Sequence, residues 1–492
     1  GNSMKEIAGW ALETARLRGA SLAEARIVDE RNRALGTKNG KIGSASDAET
    51  LGIGIRVIAD GAFGFAATDD LSREGVESCA AHAVAIAKAS ATVKSQGLHM
   101  VPEPAAKADW SSPCKIDPFG ISIEKNLELL FDIDEELRKT KGVTLAETNM
   151  NFRRYEQWFY NTEGSEIHQT VVTSGAGYAA HSFQGTEIQK RSYPNSFGGQ
   201  FQNKGYELIE ELNLLEHASE TAEQAVALHS ADQCPEGTYD IVLDSSQLGL
   251  QIHESVGHPI ELDRALGMEA NFAGTSFLTL DKLRTLKYGS EIVNVVADAT
   301  EAHGPGLGTF AYDDEGVAAQ CTPIITNGLF TGYLTSRDTA EAIGASRSGG
   351  CLRAEGWNRL PIVRMTNVSI LPGDNPLTLE QLIASTERGV YMETNRSWSI
   401  DDKRYNFQFG CEIGWEIVNG TRARMLKNPS YSGITTEFWN SMDAICSRDE
   451  WTLWGTPNCG KGQPQQVMGT GHGAAPARFR KISVGTAYKG SE

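Results

Sequence analysis

The feature that most constrains the fold is the hexapeptide HESVGH at residues 253–258, which follows an apolar strand pattern. Two neutral imidazoles can bind a borderline-soft cation such as zinc, and the neighbouring carboxylate of Glu254 can accept a proton from water. His253 and His258 are five residues apart, so a regular α-helix would point them about 140° apart. Joint binding of one ion therefore requires a widened turn with i to i+5 hydrogen bonds, or a helix that breaks near Gly257 and Pro259.

A hydrolytic zinc site also needs a third protein ligand and a fourth position for water. Cys459 is the best distant candidate, because residues 455–462 are rich in glycine and proline and would form a tight turn around one thiol. Lys461 would favour the thiolate of this cysteine. A lone cysteine is more often a small buried hydrophobic residue, so the residues alone leave both interpretations open.

Taken together, these motifs resemble the TldD/PmbA peptidases, whose TldD branch holds zinc with an HExxxH motif and a late cysteine. Residues 51–66 resemble the amino-terminal hairpin of that family, and residues 313–316 resemble its central acidic turn. Residues 337–350 also fit the family pattern. The matches run in family order from about residue 20 to about residue 470. The PmbA branch, also called TldE, lacks the zinc ligands and serves as a partner subunit, so this chain resembles the TldD branch.

Carried over residue by residue, the resemblance implies one zinc ion per active subunit. His253, His258 and Cys459 would be its ligands, and Glu254 would be the general base. Pro259 departs from the family pattern, in which a small residue is expected at this position.

Three other polar residues are candidates for supporting roles. Glu261 and Asp263 resemble the acidic pair after the second histidine of the family, and would hold imidazole N–H groups. The alternative for this pair is a solvated helix face. His472, between two glycines, is a candidate for stabilising the oxyanion, although a lone histidine in a glycine-rich loop is more often an ordinary surface group.

The function implied by the resemblance is a zinc-dependent endopeptidase that cleaves unfolded or flexible peptides, with metal-activated water and Glu254 as general base. The substrate would be enclosed in a homodimer, or in a heterodimer with a PmbA/TldE-like subunit, and held by strand-like backbone pairing. The alternative is a non-catalytic partner or regulatory subunit with a structural metal site, which would leave Glu254 without a role. A hydrolase that uses Cys459 as nucleophile would leave the paired histidines unexplained.

Composition limits the binding partners and the cellular compartment that we expect for this protein. With 45 basic and 63 acidic residues, its net charge of −18 should repel nucleic acid and anionic lipid. Its eight cysteines contain no CxxC pair, which is typical of a reducing cytoplasm. No stretch approaches the roughly 20 apolar residues of a membrane helix, and the residues after Met4 are charged rather than secretory. We expect a cytoplasmic protein without direct nucleic-acid or membrane contact.

Periodicity predicts an α+β fold: an N-terminal α/β region with a hairpin-rich sheet and covering helices, and a C-terminal β-rich barrel-like or sandwich domain that carries the metal-site helix. The predicted domains are 4–232, with a proline-rich linker at 101–118 that would join two halves, and 233–492. Turns are predicted at Asn39-Gly40 and Asp60-Gly61. The predicted helices are 5–18, 72–94, 123–141 and 219–230, and the predicted strands are 25–32, 51–65, 143–153, 155–160, 166–174, 178–185 and 239–243.

Overall fold

A computed structural model describes residues 1–93, 97–268 and 274–485. The chain has the predicted α+β fold, with one large sheet in its first half and a barrel in its second half. In the N-terminal half, the strands form an eight-stranded sheet of order β3-β2-β1-β5-β6-β4, with β7 and β8 also paired to β6. The strands are β1 Leu22–Lys38, β2 Lys41–Ala59, β3 Ala62–Thr68, β4 Lys107–Ser111, β5 Leu145–Asn161, β6 Glu166–Gln184, β7 Glu187–Tyr193 and β8 Gln200–Gln202.

Helices cover one face of this sheet. Residues of β1 that alternate along the strand, such as Ile27 and Leu35, are buried beneath them, opposite Trp158 and Met150 of β5. This period of two places every second side chain on the helical side, as expected for a sheet with one apolar face. The helices of this half are α1 Met4–Leu17, α2 Arg73–Val93, α3 Ile123–Arg138, α4 Glu207–Glu211 and α5 Ala218–Ala227.

The opposite face of the sheet is polar and meets the C-terminal half of the chain. Arg56 of β2 lies opposite Glu24 of β1, and its guanidinium contacts both Glu24 Oε1 at 2.6 Å and Glu315 Oε1 at 3.1 Å. The backbone N–H of Arg337 donates to Glu315 Oε2 at 2.9 Å, and its side chain pairs with Glu163. We call these five residues the interface cluster. Because unpaired buried charge is costly, they tie the two halves together through mutual neutralisation.

The C-terminal half contains a five-stranded barrel closed in the order β17-β10-β24-β20-β18, with β18 returning to β17. Strands β9, β19 and β21 extend the sheet that forms the barrel, and the other strands of this half form small sheets and hairpins. The strands are β9 Asp232–Gln233, β10 Gly237–Leu243, β11 Val295–Asp298, β12 Cys321–Thr326, β13 Leu329–Phe330, β14 Leu352–Arg353, β15 Ile362–Val363, β16 Val368–Ile370, β17 Arg388–Ile400, β18 Asn406–Val418, β19 Thr421–Lys427, β20 Ser430–Ile434, β21 Met442–Ile445, β22 Thr452–Lys461, β23 Gln466–Ala474 and β24 Ala477–Val484. The helices are α6 Ser245–Ile252, α7 Leu262–Ala265, α8 Leu379–Ala384 and α9 Thr435–Asn440.

Helix α6 follows directly from barrel strand β10 and is buried between the barrel and the β22–β23 hairpin. Asp244 caps its first turn by accepting hydrogen bonds from the N–H groups of Ser246 and Gln247. On the barrel side, Tyr431 of β20 binds the side chains of Gln247 and Gln251. These contacts fix where the end of α6, and the hexapeptide that follows it, lies in the molecule.

Most of the predicted elements are confirmed, including all four helices and the turns at Asn39-Gly40 and Asp60-Gly61. The end of the second predicted helix, at Lys94, lies outside the described residues. The four strands predicted between 143 and 185 are wrong in number, because they merge into the two long strands β5 and β6. Strand β4 lies inside the predicted linker and pairs in parallel with β6.

The division into two domains stays a prediction. Within the described residues, no helix is both long enough and apolar enough to cross a lipid bilayer.

Candidate metal centre

The hexapeptide forms a widened helical turn. After α6, residues His253–Gly257 form a π-helix, and the N–H of His258 donates to the carbonyl oxygen of His253 at 3.2 Å. The two imidazole centroids are 4.8 Å apart, with ring planes at 88°. The predicted i to i+5 geometry is therefore confirmed, and both rings point into one space.

The glycine of the hexapeptide packs closely against a methionine. A Cβ atom built on Gly257 would lie 2.5 Å from the Sδ atom of Met365, which is 1% exposed. A side chain at this position would therefore displace the end of the Met365 side chain.

Cys459 reaches the same space from strand β22. Its Sγ atom lies 3.8 Å from Nε2 of His258, and the nearest ligand atoms of His253, His258 and Cys459 all lie within 4.8 Å of one another. Around a tetrahedral zinc ion, nitrogen and sulfur ligands stand roughly 3.3–3.8 Å apart. A set of two imidazoles and one thiol with this spacing fits one zinc ion after small adjustments.

Hydrogen bonds fix the tautomer of His253. His472 Nδ1 lies 2.9 Å from the carbonyl oxygen of Val368, which can only accept, so Nδ1 carries the proton. His472 Nε2 therefore accepts from His253 Nδ1 at 2.7 Å. This leaves Nε2 of His253 unprotonated and free to bind a cation.

His258 is oriented in the same way by a carboxylate. Its Nδ1 atom donates to Glu261 Oε1 at 2.7 Å, so its Nε2 atom also faces the cation space. Lys461, predicted to lie beside the thiol, instead contacts Asp263 Oδ1 at 2.8 Å and Glu261 Oε2 at 3.1 Å. Burial would raise the pKa of Glu261, but Lys461 and His258 outweigh burial and hold this pKa well below its usual value.

Two alternative interpretations, a solvated helix face for Glu261 and Asp263 and a surface position for His472, are wrong because these side chains are buried. Glu261 and Asp263 are only 1% and 7% exposed, so they do not form a solvated helix face. His472 lies in strand β23 and is 1% exposed, so it is not a surface group in a loop. Its contact is with His253, and burial together with that neighbour holds its pKa well below the usual value.

The electrostatics of the site favour the metal-binding forms of its ligands. Burial, the largest effect, lowers the pKa of both His253 and His258, and the nearby Arg404 cation lowers it further. Burial would raise the pKa of Cys459, yet His258 and Arg364 reverse this effect and lower it. Neutral imidazoles and a thiolate are the forms that bind zinc.

Arg404 is the residue of this site that the sequence analysis missed. It lies in the turn between β17 and β18, and its Nη1 atom donates to Glu254 Oε2 at 2.6 Å. Its sequence neighbours are polar turn residues, and no spacing rule connects position 404 with position 254. Only the closing of the barrel brings the two side chains together.

The back of strand β23 is made of glycines. Thr470 and His472 face the hexapeptide, with Thr470 Oγ1 3.3 Å from His253 Nδ1. The alternating residues Gly469, Gly471 and Gly473 face the other way; Cβ atoms on the last two would lie 2.0 Å from Asn367 and 1.8 Å from Trp451. The hairpin is therefore held tightly against its neighbours behind the metal-facing side chains.

Family models match both halves of the chain. The PmbA/TldA metallopeptidase C-terminal domain matches residues 236–486, and domain 1 of the same peptidases matches residues 23–87. A metalloprotease of Methanocaldococcus jannaschii is 30% identical over 92% of this chain and 94% of its own length. A metalloprotease of Methanothermobacter thermautotrophicus is 31% identical over 94% of this chain and 95% of its own length. A zinc metalloprotease TldD homolog of Saccharolobus solfataricus is 28% identical over 51% of this chain and 52% of its own length.

Solved structures share the fold at lower sequence identity. A Thermotoga maritima protein superposes with a TM-score of 0.78 at 17% identity, covering 98% of this chain and all of that one. TldE of Thermococcus kodakarensis gives a TM-score of 0.72 at 15% identity, with coverage of 98% and 100%.

Proposed function

This chain belongs to the PmbA/TldD family of metallopeptidases, and on that premise we propose that it is a zinc-dependent endopeptidase that cleaves unfolded or flexible polypeptide. The single observation that carries the proposal is the convergence of the ligand atoms of His253, His258 and Cys459, next in sequence to the carboxylate of Glu254. Three protein ligands leave one coordination position open, which is the arrangement of catalytic rather than structural zinc.

In the proposed mechanism, His253, His258 and Cys459 would hold a zinc ion, whose Lewis acidity would polarise the scissile carbonyl and make a water molecule acidic near neutral pH. Glu254 takes the proton of that water as its oxygen attacks the carbonyl carbon, and delivers the proton to the leaving amine as the C–N bond breaks. Burial of the site to 6% exposure or less at Glu254 and the three ligands keeps bulk water away from the reacting groups.

Three further residues orient the ligands. His472 holds the ring of His253, Glu261 holds the ring of His258, and Asp263 acts one step away by binding Lys461. Partners of this kind fix ring orientation, and their loss typically weakens metal binding by about 10- to 100-fold. His472 therefore has an orienting role in this proposal, and the oxyanion is left to another group.

We further propose a cytoplasmic dimer, formed either by two copies of this chain or with a PmbA/TldE-like subunit. The shared fold of TldE supports this choice of partner, because related subunits can pair through equivalent surfaces. The substrate would be held by backbone pairing, which reads little side-chain sequence.

The test combines metal analysis with peptide cleavage. The purified protein should contain one zinc ion per chain and cleave an unfolded protein such as reduced, alkylated lysozyme, but not its folded form. Glu254→Gln should keep the metal and lose about 100- to 10,000-fold in kcat, because it removes the general base. Glu380→Gln, an exposed change in helix α8, is the matched control.

Equal cleavage by the wild type and Glu254→Gln would overturn the proposed mechanism. Zinc retained without any cleavage by the wild type, alone or with a TldE-like partner, would favour the non-catalytic alternative. Cleavage that resists chelators would point instead to Cys459 as a nucleophile.

A further inference from the structure

We propose that Arg404 is a further catalytic residue, whose guanidinium binds the oxygen of the scissile carbonyl as negative charge develops on it. This inference rests on the proposed peptidase function and identifies the oxyanion-binding group that the mechanism above leaves open.

The position of Arg404 is that of a group on the substrate side. Its Nη1 atom lies 2.6 Å from Glu254 Oε2, so the guanidinium is adjacent to the carboxylate that would activate the attacking water. The Arg404 side chain is 17% exposed, compared with 8% for that of Glu254. His253, His258 and Cys459 lie deeper, at 5% exposure or less for the whole residue. Of these side chains, that of Arg404 is therefore the most accessible to a molecule that comes from solvent.

The turn that carries Arg404 is tied down on several sides. The Asp401 side chain accepts hydrogen bonds from the N–H groups of Tyr405 and Asn406, at 2.7 and 3.1 Å. The Thr435 hydroxyl donates to the carbonyl oxygen of Arg404 at 2.8 Å. A guanidinium on such a turn is preorganised, and preorganised donors need little reorganisation when charge appears.

The backbone at Arg404 is strained. Its φ angle is +66°, in the left-handed region, where a residue with a Cβ atom costs roughly 1 kcal/mol compared with glycine. The molecule thus keeps an arginine where the backbone favours glycine. Strain of this kind concentrates at functional sites, where the side chain is needed at that position.

Arg404 also has hydrogen-bonding capacity to spare. A guanidinium carries five N–H donors, and one of them binds Glu254. Its Nε atom is buried and has no hydrogen-bond partner among the described residues. Arg404 can therefore keep its contact with Glu254 while it donates to a second oxygen atom.

The other two cations near the centre are already used in other ways. Lys461 contacts the carboxylates of Asp263 and Glu261, and Arg364 donates to the carbonyl oxygens of Cys459 and Gln466. Both residues are 2% exposed or less, so they are less accessible from solvent than Arg404. Arg404 is the better placed of the three to reach a carbonyl oxygen of the substrate.

The movement of negative charge during the reaction is consistent with a guanidinium at the position of Arg404. As the water oxygen bonds to the carbonyl carbon, the π-electron pair moves to the carbonyl oxygen, and the water proton moves to Glu254. Negative charge thus leaves Glu254 and appears on the oxyanion, and both groups are neighbours of Arg404. The guanidinium stays paired with one negative charge throughout, so its desolvation is compensated at each stage.

The experiment uses Arg404→Ala, Arg404→Lys and the control Arg424→Gln, which removes an arginine that pairs with Glu416 and Asp232 on the outside of the barrel. We expect Arg404→Ala to lose about 100- to 1,000-fold in kcat with less than a threefold change in KM and with full zinc content. Guanidinium chloride at a non-denaturing concentration should restore at least tenfold of the lost rate. Arg404→Lys keeps a cation at this position, and its kcat should fall between those of the wild type and Arg404→Ala. It also serves as the test variant if Arg404→Ala does not fold.

A phosphinic peptide, which carries a tetrahedral anionic group, supplies a second measurement. Its inhibition constant should rise by about the same factor as kcat/KM falls, because both measure contacts made in the transition state.

The proposal is overturned by kcat within threefold of wild type in Arg404→Ala, by loss of zinc from both variants, or by a rise in KM with kcat unchanged. Failure of the wild type itself to cleave peptides would instead refute the peptidase function, so the two failures are distinguishable.

Discussion

The metal-facing cluster, which we define as His253, His258 and Cys459, and the interface cluster both hold titratable side chains that are buried, apart from the exposed Glu163, yet they differ in how their polar atoms are used. In the interface cluster, Arg56 lies between the carboxylates of Glu24 and Glu315, and Arg337 binds Glu163, so each carboxylate has a cationic residue as its hydrogen-bond partner. Opposite charges meet directly there, and the cluster links the N-terminal sheet to Glu315 and Arg337, which lie in turns of the C-terminal half.

In the metal-facing cluster, by contrast, the ligand atoms of His253, His258 and Cys459 lie within 4.8 Å of one another. The Nδ1 atoms of His253 and His258 donate to His472 and Glu261, and Nε2 of His258 lies 3.8 Å from the sulfur of Cys459. Burial and charge are common to both clusters, so neither marks the site. The distinguishing feature is a set of two imidazoles and one thiol whose ligand atoms converge on one space, where a single cation could bind all three.

The largest expected effect comes from breaking the interface cluster. Arg56→Met should leave Glu24 and Glu315 buried without their shared cation, and should lower the free energy of unfolding by about 3–5 kcal/mol. Urea unfolding followed by tryptophan fluorescence measures this change. Arg73→Met, which removes an exposed partner of Glu77, should stay within about 0.5 kcal/mol of wild type.

Zinc content should be unchanged in folded Arg56→Met. Loss of zinc from folded Arg56→Met would show that the two clusters are not independent. An unchanged free energy of unfolding in this variant would contradict the predicted role of Arg56.

A smaller effect is expected from the pH dependence of the interface cluster. Burial, with help from Glu24 and against Arg56, raises the pKa of Glu315 from 4.5 to about 7. The folded state then holds this proton more tightly than the unfolded state, so the stabilisation is fully present below pH 4.5 and is lost as pH rises to about 7. Each pH unit in this window is worth about 1.4 kcal/mol.

Glu315→Gln should flatten that decline in stability, measured as the unfolding free energy between pH 4.5 and pH 7.5. Asp313, whose pKa burial also raises, should leave part of the slope in place. An unchanged slope in Glu315→Gln would assign the pH dependence to other groups.

The smallest expected effect is a loss of zinc affinity when the hydrogen-bond partner of His253 is removed. His472→Phe removes the acceptor of the His253 Nδ1 proton while it keeps an aromatic ring in strand β23. We expect zinc affinity, measured by competition with a chromophoric chelator, to fall about 10- to 100-fold. His303→Phe, outside the cluster and beside Trp451, is the matched control. Unchanged affinity in His472→Phe would remove His472 from the orienting network.

Local rules predicted much of this structure. The spacing of His253 and His258 required either a widened turn or a broken helix for joint binding, and residues 253–257 form the first of these, a π-turn. Asn39-Gly40 predicted a two-residue hairpin loop because both residues tolerate positive φ, and they adopt φ of 48° and 78°. Helix α1 followed from apolar residues repeated at helical spacing.

Features that depend on distant segments were missed or misassigned. Arg404 joins Glu254 only because β17 and β18 close the barrel, and Lys461 binds Asp263 rather than the thiol two residues before it. Strand β4 forms in a proline-rich stretch because β6 offers it an edge. Cys459 was reached through family resemblance, since its own sequence context also fits a buried hydrophobic residue.

The alternating glycines of strand β23 have a consequence for descent. Packing against Asn367 and Trp451 excludes a Cβ at Gly471 and Gly473 whether or not the opposite face does chemistry. A lineage that abandoned hydrolysis would therefore be free to exchange His472 and Cys459, while selection for folding would preserve the small residues behind them. In such descendants, the glycines at every second position of the strand would persist after His472 and Cys459 had changed.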